Sequence, residues 1–564
     1  MRVLWRLRRN DAERASGVLV LMKKLNANIQ PVQEKALGGG LEGAERTARE
    51  TALWNPSMRS ADALINPVKD MADNRARDIV QNDGYALGAV AIHRDSIVGA
   101  QYRLNAQPNS RVLGAPDGWS EEFQKVVEAR FNLVADSPEN WFDAQRMGTL
   151  TDLIRLAIGG MVMSGEVLAS VEWIKDEPRR PFSTAIQMIA PARLTNPDGV
   201  SDSKILRRGV ECDKRGRPIA YHIRNSHPGE LYWDTDMYTW QRVPAETVWG
   251  RRQMIHIIER LMPDQHRGVA DMVSTLKQMR MTKSFQDVVL QNAVVNASYA
   301  AAVESELPSE LIWKTLGAAG PNDPKDPIRQ MLGTYLESLT AYAGAGNNIA
   351  IDGAKIPHLF PGTKLNLKPI GTPGGVGTGF EESLLRHIAS SLGLSYEQFS
   401  RDYSKTNYSS ARASMGETWK YMQSRKKVVA DRLASHIYSL WLEEEIAAGE
   451  VPLPRGARKD TFFYKPMFKD AISQCSWIGA SRGQIDELKE TQAALLRINA
   501  GFSTREKEIA RLGEDWREVF EQLSREKKLA DENGLTFAID AQKPGANMAQ
   551  QTLTANNTED AANE

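Results

Sequence analysis

With 564 residues the chain is too long for one hydrophobic core, and a handful of layers or domains is expected. Lys plus Arg total 71 and Asp plus Glu total 71, so the formal net charge is zero. That balance argues against a protein that holds nucleic acid tightly, because each neutralised phosphate adds affinity through counterion release, yet it admits one past which a polyanion slides.

The first 59 residues are charged, carry Gly38, Gly39 and Gly40, and show no lasting periodicity, as an extended arm would. The apolar run from Gly17 to Met22 is too short for a signal sequence or a membrane span, and longer apolar stretches elsewhere are broken by charge. Cys212 and Cys475 lie far apart with no CxxC or Cys/His ligand spacing, which disfavours a disulfide framework and structural zinc. The expectation is a soluble chain made in a reducing cytoplasm, with no membrane partner.

From Ser60 onward the pattern sharpens. Residues 71–101 predict two short helices joined by Asn82, Asp83 and Gly84. Residues 151–173 pass from a helix (DLIRLAIGGMVM) through Ser164 and Gly165 into a strand (EVLASVEW). Further strands are expected at Ala185–Ile189, Ala220–Ile223 and Met254–Ile258, with Asp213, Gly216 and Pro228 in turns between them. After Arg267 and Gly268 a helix follows through Met272, Leu276, Met279, Phe285, Val288, Val289 and Ala293, about eight turns long with no interior Gly or Pro. A proline-punctuated segment succeeds it, with strand-like pieces at Tyr299–Ser305 (YAAAVES, including Val303 and Glu304), Ile349–Ile351 and Leu365–Leu367. A second helix begins near Gly379, then a polar loop, then a long helix whose stripe runs through Ala411, Met415, Trp419, Met422, Val429, Leu433, Ile437 and Leu440, with Ser409 or Ser410 as cap. Beyond Asp470 two or three charged helices are expected, and residues 542–564, rich in Ala, Asn, Gln and Thr, read as a disordered tail.

Catalytic chemistry is scarce. No HExxH exists, and neither His222 with His227 nor His256 with His266 has helical ligand spacing, so no metal or cofactor is expected. The GTPGGVGTG run at 371–379 lacks the GK[ST] ending of a P-loop and reads as a hinge, while Glu443, Glu444 and Glu445 diverge around a helix and cannot meet on one ion. The run Arg425, Lys426, Lys427 spreads around its helix and reads as a solvated face rather than a DNA track.

Several stretches carry a resemblance: RARDIVQNDGYALGAV, SGEVLA, FQDVVLQNAVVNASYAAAVESEL, IPHLFPG, LSYEQFSRDYSKTNYSSARAS and WIGASRGQIDELKE. In these the chain resembles the lambda family of phage portal proteins. That resemblance implies an α+β portal fold: N-terminal arm 1–59, α/β wing 60–266, stem helix one 267–297, small α/β clip 298–377, stem helix two 378–394, tunnel loop 395–408, tunnel helix and wing return 409–470, helical crown 471–541 and tail 542–564. It also implies a non-enzymatic ring of about twelve subunits at one capsid vertex of the virion, assembled in a bacterial cytoplasm. Double-stranded DNA would pass through it without sequence reading, and its partners would be the terminase large subunit, major capsid and scaffold proteins, and head-tail connector proteins. An alternative, a terminase-like ATPase or nuclease, would need a phosphate loop and a carboxylate cluster, and the missing GK[ST] decides against it.

In the tunnel loop Arg401, Lys405, Asn407 and Tyr408 are candidates to brush phosphates and sugars; the competing reading pairs Arg401 or Lys405 with Asp402 across subunits. On the first long helix Lys277, Arg280 and Lys283 share one broad face, either ringing the stem channel or bridging acidic groups of adjacent subunits.

Overall fold

The computed structural model describes residues 51, 53–230, 235–298, 348–351, 354–357, 377–483 and 487–535. The chain divides into two units, 1–60 and 61–564. In the first, residues 53–60 are exposed and the Trp54 amide donates to the Thr51 carbonyl. The second unit is mixed helix and sheet.

Its first helices are α1 (Ala61–Ile65), α2 (Lys69–Asn82) and α3 (Gly84–Ile97). The expected break between α2 and α3 is there, made by Asp83, whose extended backbone ends one helix while its carboxylate accepts from the Ala86 amide at 3.0 Å to cap the next. Strand β1 (Arg103–Ala106) leads through α4 (Ser110–Leu113) to α5 (Trp119–Ala135) and α6 (Leu150–Ser164). Thr149 and Asp152 close a capping box at the start of α6.

Gly165 ends α6 at φ 73° and hands over to β2 (Glu166–Trp173). A side chain at Gly165 would lie 2.1 Å from the Val269 backbone, and one at Gly268 would lie 2.0 Å from the Gly165 carbonyl. The two segments therefore touch backbone to backbone, a contact open only to glycine. Strand β2 is the centre of an antiparallel sheet between β3 (Thr184–Met188) and, later in the chain, β8 (Met254–Ile258), with Ala169 facing both Met188 and Ile255. Strands β4 (Leu206–Arg207), β5 (Val210–Cys212), β6 (Pro218–Arg224) and β7 (Trp240–Pro244) make a separate antiparallel meander.

Helix α7 (Leu276–Ser298) is the expected long helix. A hairpin of β9 (Asn348–Ile351) and β10 (Ala354–Pro357) follows, then α8 (Gly377–Ser391) and α9 (Tyr396–Ser400). Helix α10 (Tyr408–Arg425) passes through a π-turn (Lys426–Ala430) into α11 (Asp431–Ala448). Short α12 (Phe468–Ile472) precedes β11 (Cys475–Ile478), which returns to pair with β1. Three helices close the described chain: α13 (Glu487–Asn499), α14 (Arg505–Arg511) and α15 (Trp516–Asn533).

Helix α11 is the spine of the core. Leu433, Ala434, Ile437, Tyr438, Trp441 and Leu442 are buried, and Phe131 of α5 meets Trp441 edge-on at 5.1 Å, with Phe142 at 5.2 Å on its other side. The apolar stripe read from sequence divides here: Met422, Val429, Leu433, Ile437 and Leu440 are buried, but Ala411, Met415 and Trp419 are only half-buried, so the start of α10 stands partly clear of the core.

Two local expectations need correction. Residues 395–408 are not loop throughout, because Ser395 accepts from the Gln398 amide and caps α9 inside them. The cap of α10 is Asn407, whose side chain accepts from the Ser410 amide at 2.8 Å, and Ser409 and Ser410 lie in the first turn. The proposed strands at 299–305 and 365–367 and the tail 542–564 lie outside the described residues.

Candidate nucleic-acid interface

Helix α9 fixes where the candidate loop residues point. Arg401 ends it in the left-handed region at φ 60°, and its side chain is exposed with no partner among the described residues. Asp402 accepts from the Ser404 amide at 3.0 Å, and hydrogen bonds from Ser404 hold its carboxyl below the usual range. Lys405 bonds Glu382 of α8 within the same subunit, a hydrogen bond that raises the pKa of its exposed ammonium. Asp402 is thus occupied by its own turn. Asn407 is spent on capping, and Tyr408 opens α10. Arg401 is the candidate most free to meet an outside group, with Lys405 held by a single exposed ion pair.

The stem candidates separate in a similar way. Lys283 donates to the Asn82 carbonyl at 2.7 Å, closing the C-terminal end of α2. Lys277 and Arg280 are exposed and, with Arg75, Asp78 and Ile79 of α2 and with Leu276 and Met281, line a cavity of 550 Å³. Sequence spacing along one helix gave no sign of Arg75, because the proximity is between helices.

The basic run after α10 is not a solvated face. Arg425 is 4% exposed, donates to Asp271 and Glu259 at 3.0 Å each, and stacks over Tyr421 at 5.2 Å. Lys426 is 8% exposed and reaches Asp431 at 2.7 Å and the Trp477 carbonyl at 2.9 Å. Tyr102 donates its hydroxyl to the same Asp431. Only Lys427 points outward, at 76% side-chain exposure. The π-turn accounts for this: its extra residue lets two consecutive cations turn inward towards different carboxylates.

A second buried network ties the sheet to the start of α7. Glu166 opens β2 at 1% exposure, and Arg267, also at 1%, grips it through Nη2 at 2.6 Å and Nε at 3.0 Å. Lys69 and His256 approach the same carboxylate at 3.3 Å and 3.2 Å, and the Gly268 amide donates at 3.0 Å. The remaining Arg267 donors serve the carbonyls of Leu194, Arg208 and Pro191. Burial alone would push the Glu166 carboxyl up, but Arg267 and Lys69 outweigh it and hold it well below 4.5. A little further out, His266 bonds Asp62 at 2.8 Å, which with Cys212 raises its pKa to about 10. His93 goes the other way. Burial and then the Arg425 charge lower it to about 3, leaving a neutral ring 3.0 Å from the Leu392 carbonyl just past α8.

Both networks are architectural. Among the described residues no group of His, Cys, Asp and Glu could hold a metal ion, and the buried carboxylates of the two networks are matched to cations, Glu166 to Arg267 and Lys69, and Asp431 to Lys426.

The family "Phage portal protein, lambda family" matches residues 47–426. The chain belongs to the lambda family of phage portal proteins. It is 38% identical over 491 residues to the portal protein of Escherichia phage N15, covering 87% of this chain and 88% of that one. To portal protein B of Escherichia phage lambda it is 37% identical over 490 residues, with the same coverage. A solved neck of an empty gene transfer agent particle is similar at 13% identity and a TM-score of 0.37, covering 78% of this chain and 92% of that chain. As a phage portal protein the chain is a structural part of the virion rather than an enzyme, and neither relative supports the terminase-like alternative.

Proposed function

We propose that the chain forms a closed ring of about twelve copies at one capsid vertex, through which double-stranded DNA enters and leaves. The observation that carries this is the family match across 47–426, together with relatives aligned over 87% of the chain. In this reading residues 60–266 are the wing, 267–297 and 378–394 the stem helices, 298–377 the clip, 395–408 the tunnel loop, 409–470 the tunnel helix and wing return, and 471–541 the crown. The clip docks the terminase large subunit, other surfaces meet major capsid, scaffold and head-tail connector proteins, and the ring assembles in the host bacterial cytoplasm. Zero net charge, and an Arg401 that is exposed and without a partner among the described residues, support passage over gripping, because strong phosphate contacts would stall a moving polymer.

The test is genetic and biochemical. Capsids assembled without this chain are expected to contain no packaged DNA, with packaging restored when the chain is supplied during assembly. Full-length DNA in capsids that lack it would contradict the proposal.

A further inference from the structure

Helices α2 and α7 pack against each other and leave a cavity of 550 Å³ between them, lined by seven residues that all belong to one or other helix. Ile79, Leu276 and Met281 are apolar, Arg75, Lys277 and Arg280 are basic, and Asp78 is the one acid. Each of the three cations is exposed, and their side chains have no ion-pair or hydrogen-bond partner among the described residues. Asp78 is exposed as well, and its carboxylate accepts from the Asn82 side chain at 2.8 Å rather than from a cation. The other acids of the two helices do not line the cavity: Asp70 is paired with Arg208, Asp73 with Lys69, and Asp287 stands about two turns beyond Arg280. Lys283, the next cation of α7, is used on the Asn82 carbonyl.

Like charges around one cavity repel one another, and three cations against a single carboxylate leave two positive charges in excess there. An anion that enters removes that cost and gains charge-assisted hydrogen bonds. The apolar residues decide what kind of anion fits. Met281 is 55% exposed, and Met71, one turn before Arg75 on the same face of α2, is 56% exposed, so the cavity opens onto adaptable apolar surface. A DNA duplex turns phosphates and sugars outward and keeps its bases stacked, and it would leave that surface uncovered. A peptide covers it with one apolar side chain and meets the cations with carboxylates on either side, which is the apolar centre and polar rim of a protein interface.

We infer that Arg75, Lys277 and Arg280 form a docking site for an acidic segment of a partner protein, with an apolar side chain of that segment seated among Ile79, Leu276 and Met281. This goes beyond the ring reading and does not depend on it, because one subunit holds every lining residue. The experiment follows the fluorescence anisotropy of a labelled peptide of alternating glutamates and leucines added to the full chain, with circular dichroism as a folding control. Arg75→Ala with Lys277→Ala and Arg280→Ala is expected to weaken the peptide by at least about tenfold while leaving helix content unchanged. Asp78→Asn, which removes the one carboxylate lining the cavity, should tighten it by about threefold, and it decides the matter even if the triple variant fails to fold. A peptide with serine in place of every leucine should bind less tightly than the parent. A parent peptide that the wild type does not bind, equal binding by wild type and triple variant, or no tightening by Asp78→Asn would each overturn the inference. A serine peptide as tight as the parent, or a short DNA duplex that displaces the peptide from the wild type, would overturn it and give the cations to a plain polyanion. A peptide that binds unassembled subunits but is shut out of rings would overturn it too and give the site to a neighbouring copy.

Discussion

Arg267→Ala is expected to destabilise the protein by about 3–5 kcal/mol, the usual cost of removing one partner from a buried ion pair. The cause is what the substitution strands. Glu166 stays at 1% exposure with its main counter-charge gone, and Lys69 at 3.3 Å is shared with Asp73. The carbonyls of Leu194, Arg208 and Pro191 lose their donor as well. The pH dependence fixes the sign. A carboxylate whose folded pKa is depressed contributes stability above its unfolded value, here 4.5, and loses it as pH falls through the lower folded value. The gap between wild type and Arg267→Ala is therefore widest at neutral pH and narrows below 4.5. Urea unfolding midpoints at the two pH values measure it. Coincident midpoints at neutral pH would show that the network contributes nothing.

The second large effect belongs to the loop. Arg401→Ala with Lys405→Ala is expected to leave ring yield unchanged, because Arg401 has no partner to lose among the described residues and the Lys405 pair with Glu382 is exposed. Such exposed pairs are worth under about 1 kcal/mol. Packaged or retained genome should shorten, since every subunit gives up a weak hold on the passing DNA and the deficit is repeated around the ring. If these residues instead staple subunits, rings should fail first. Normal packaging by intact double-mutant rings would remove both residues from the interface.

Much of the architecture was legible because it follows from local chemistry. Asn82, Asp83 and Gly84 had to break a helix, and Ser164 and Gly165 had to turn α6 into β2. The Met254–Ile258 strand was readable to its last residue, since its apolar run is bounded on both sides. What sequence could not show was pairing across distance. Glu166 and Arg267 are 101 residues apart, and nothing near either predicts their meeting. Arg425 and Lys426 read as surface charge because spacing assumed an unbroken α-helix, and the π-turn that redirects them has no simple sequence signature. The loop candidates were half-legible. Residue type suggested Arg401 and Lys405, but the commitment of Asn407 to a cap and of Lys405 to Glu382 needed the fold.

A ring-forming conduit shows itself in the mass and image of the purified full-length protein. Native mass spectrometry with negative-stain microscopy is expected to give closed rings of about twelve copies around an open centre. Monomers or dimers alone, at every protein and salt concentration, would contradict it.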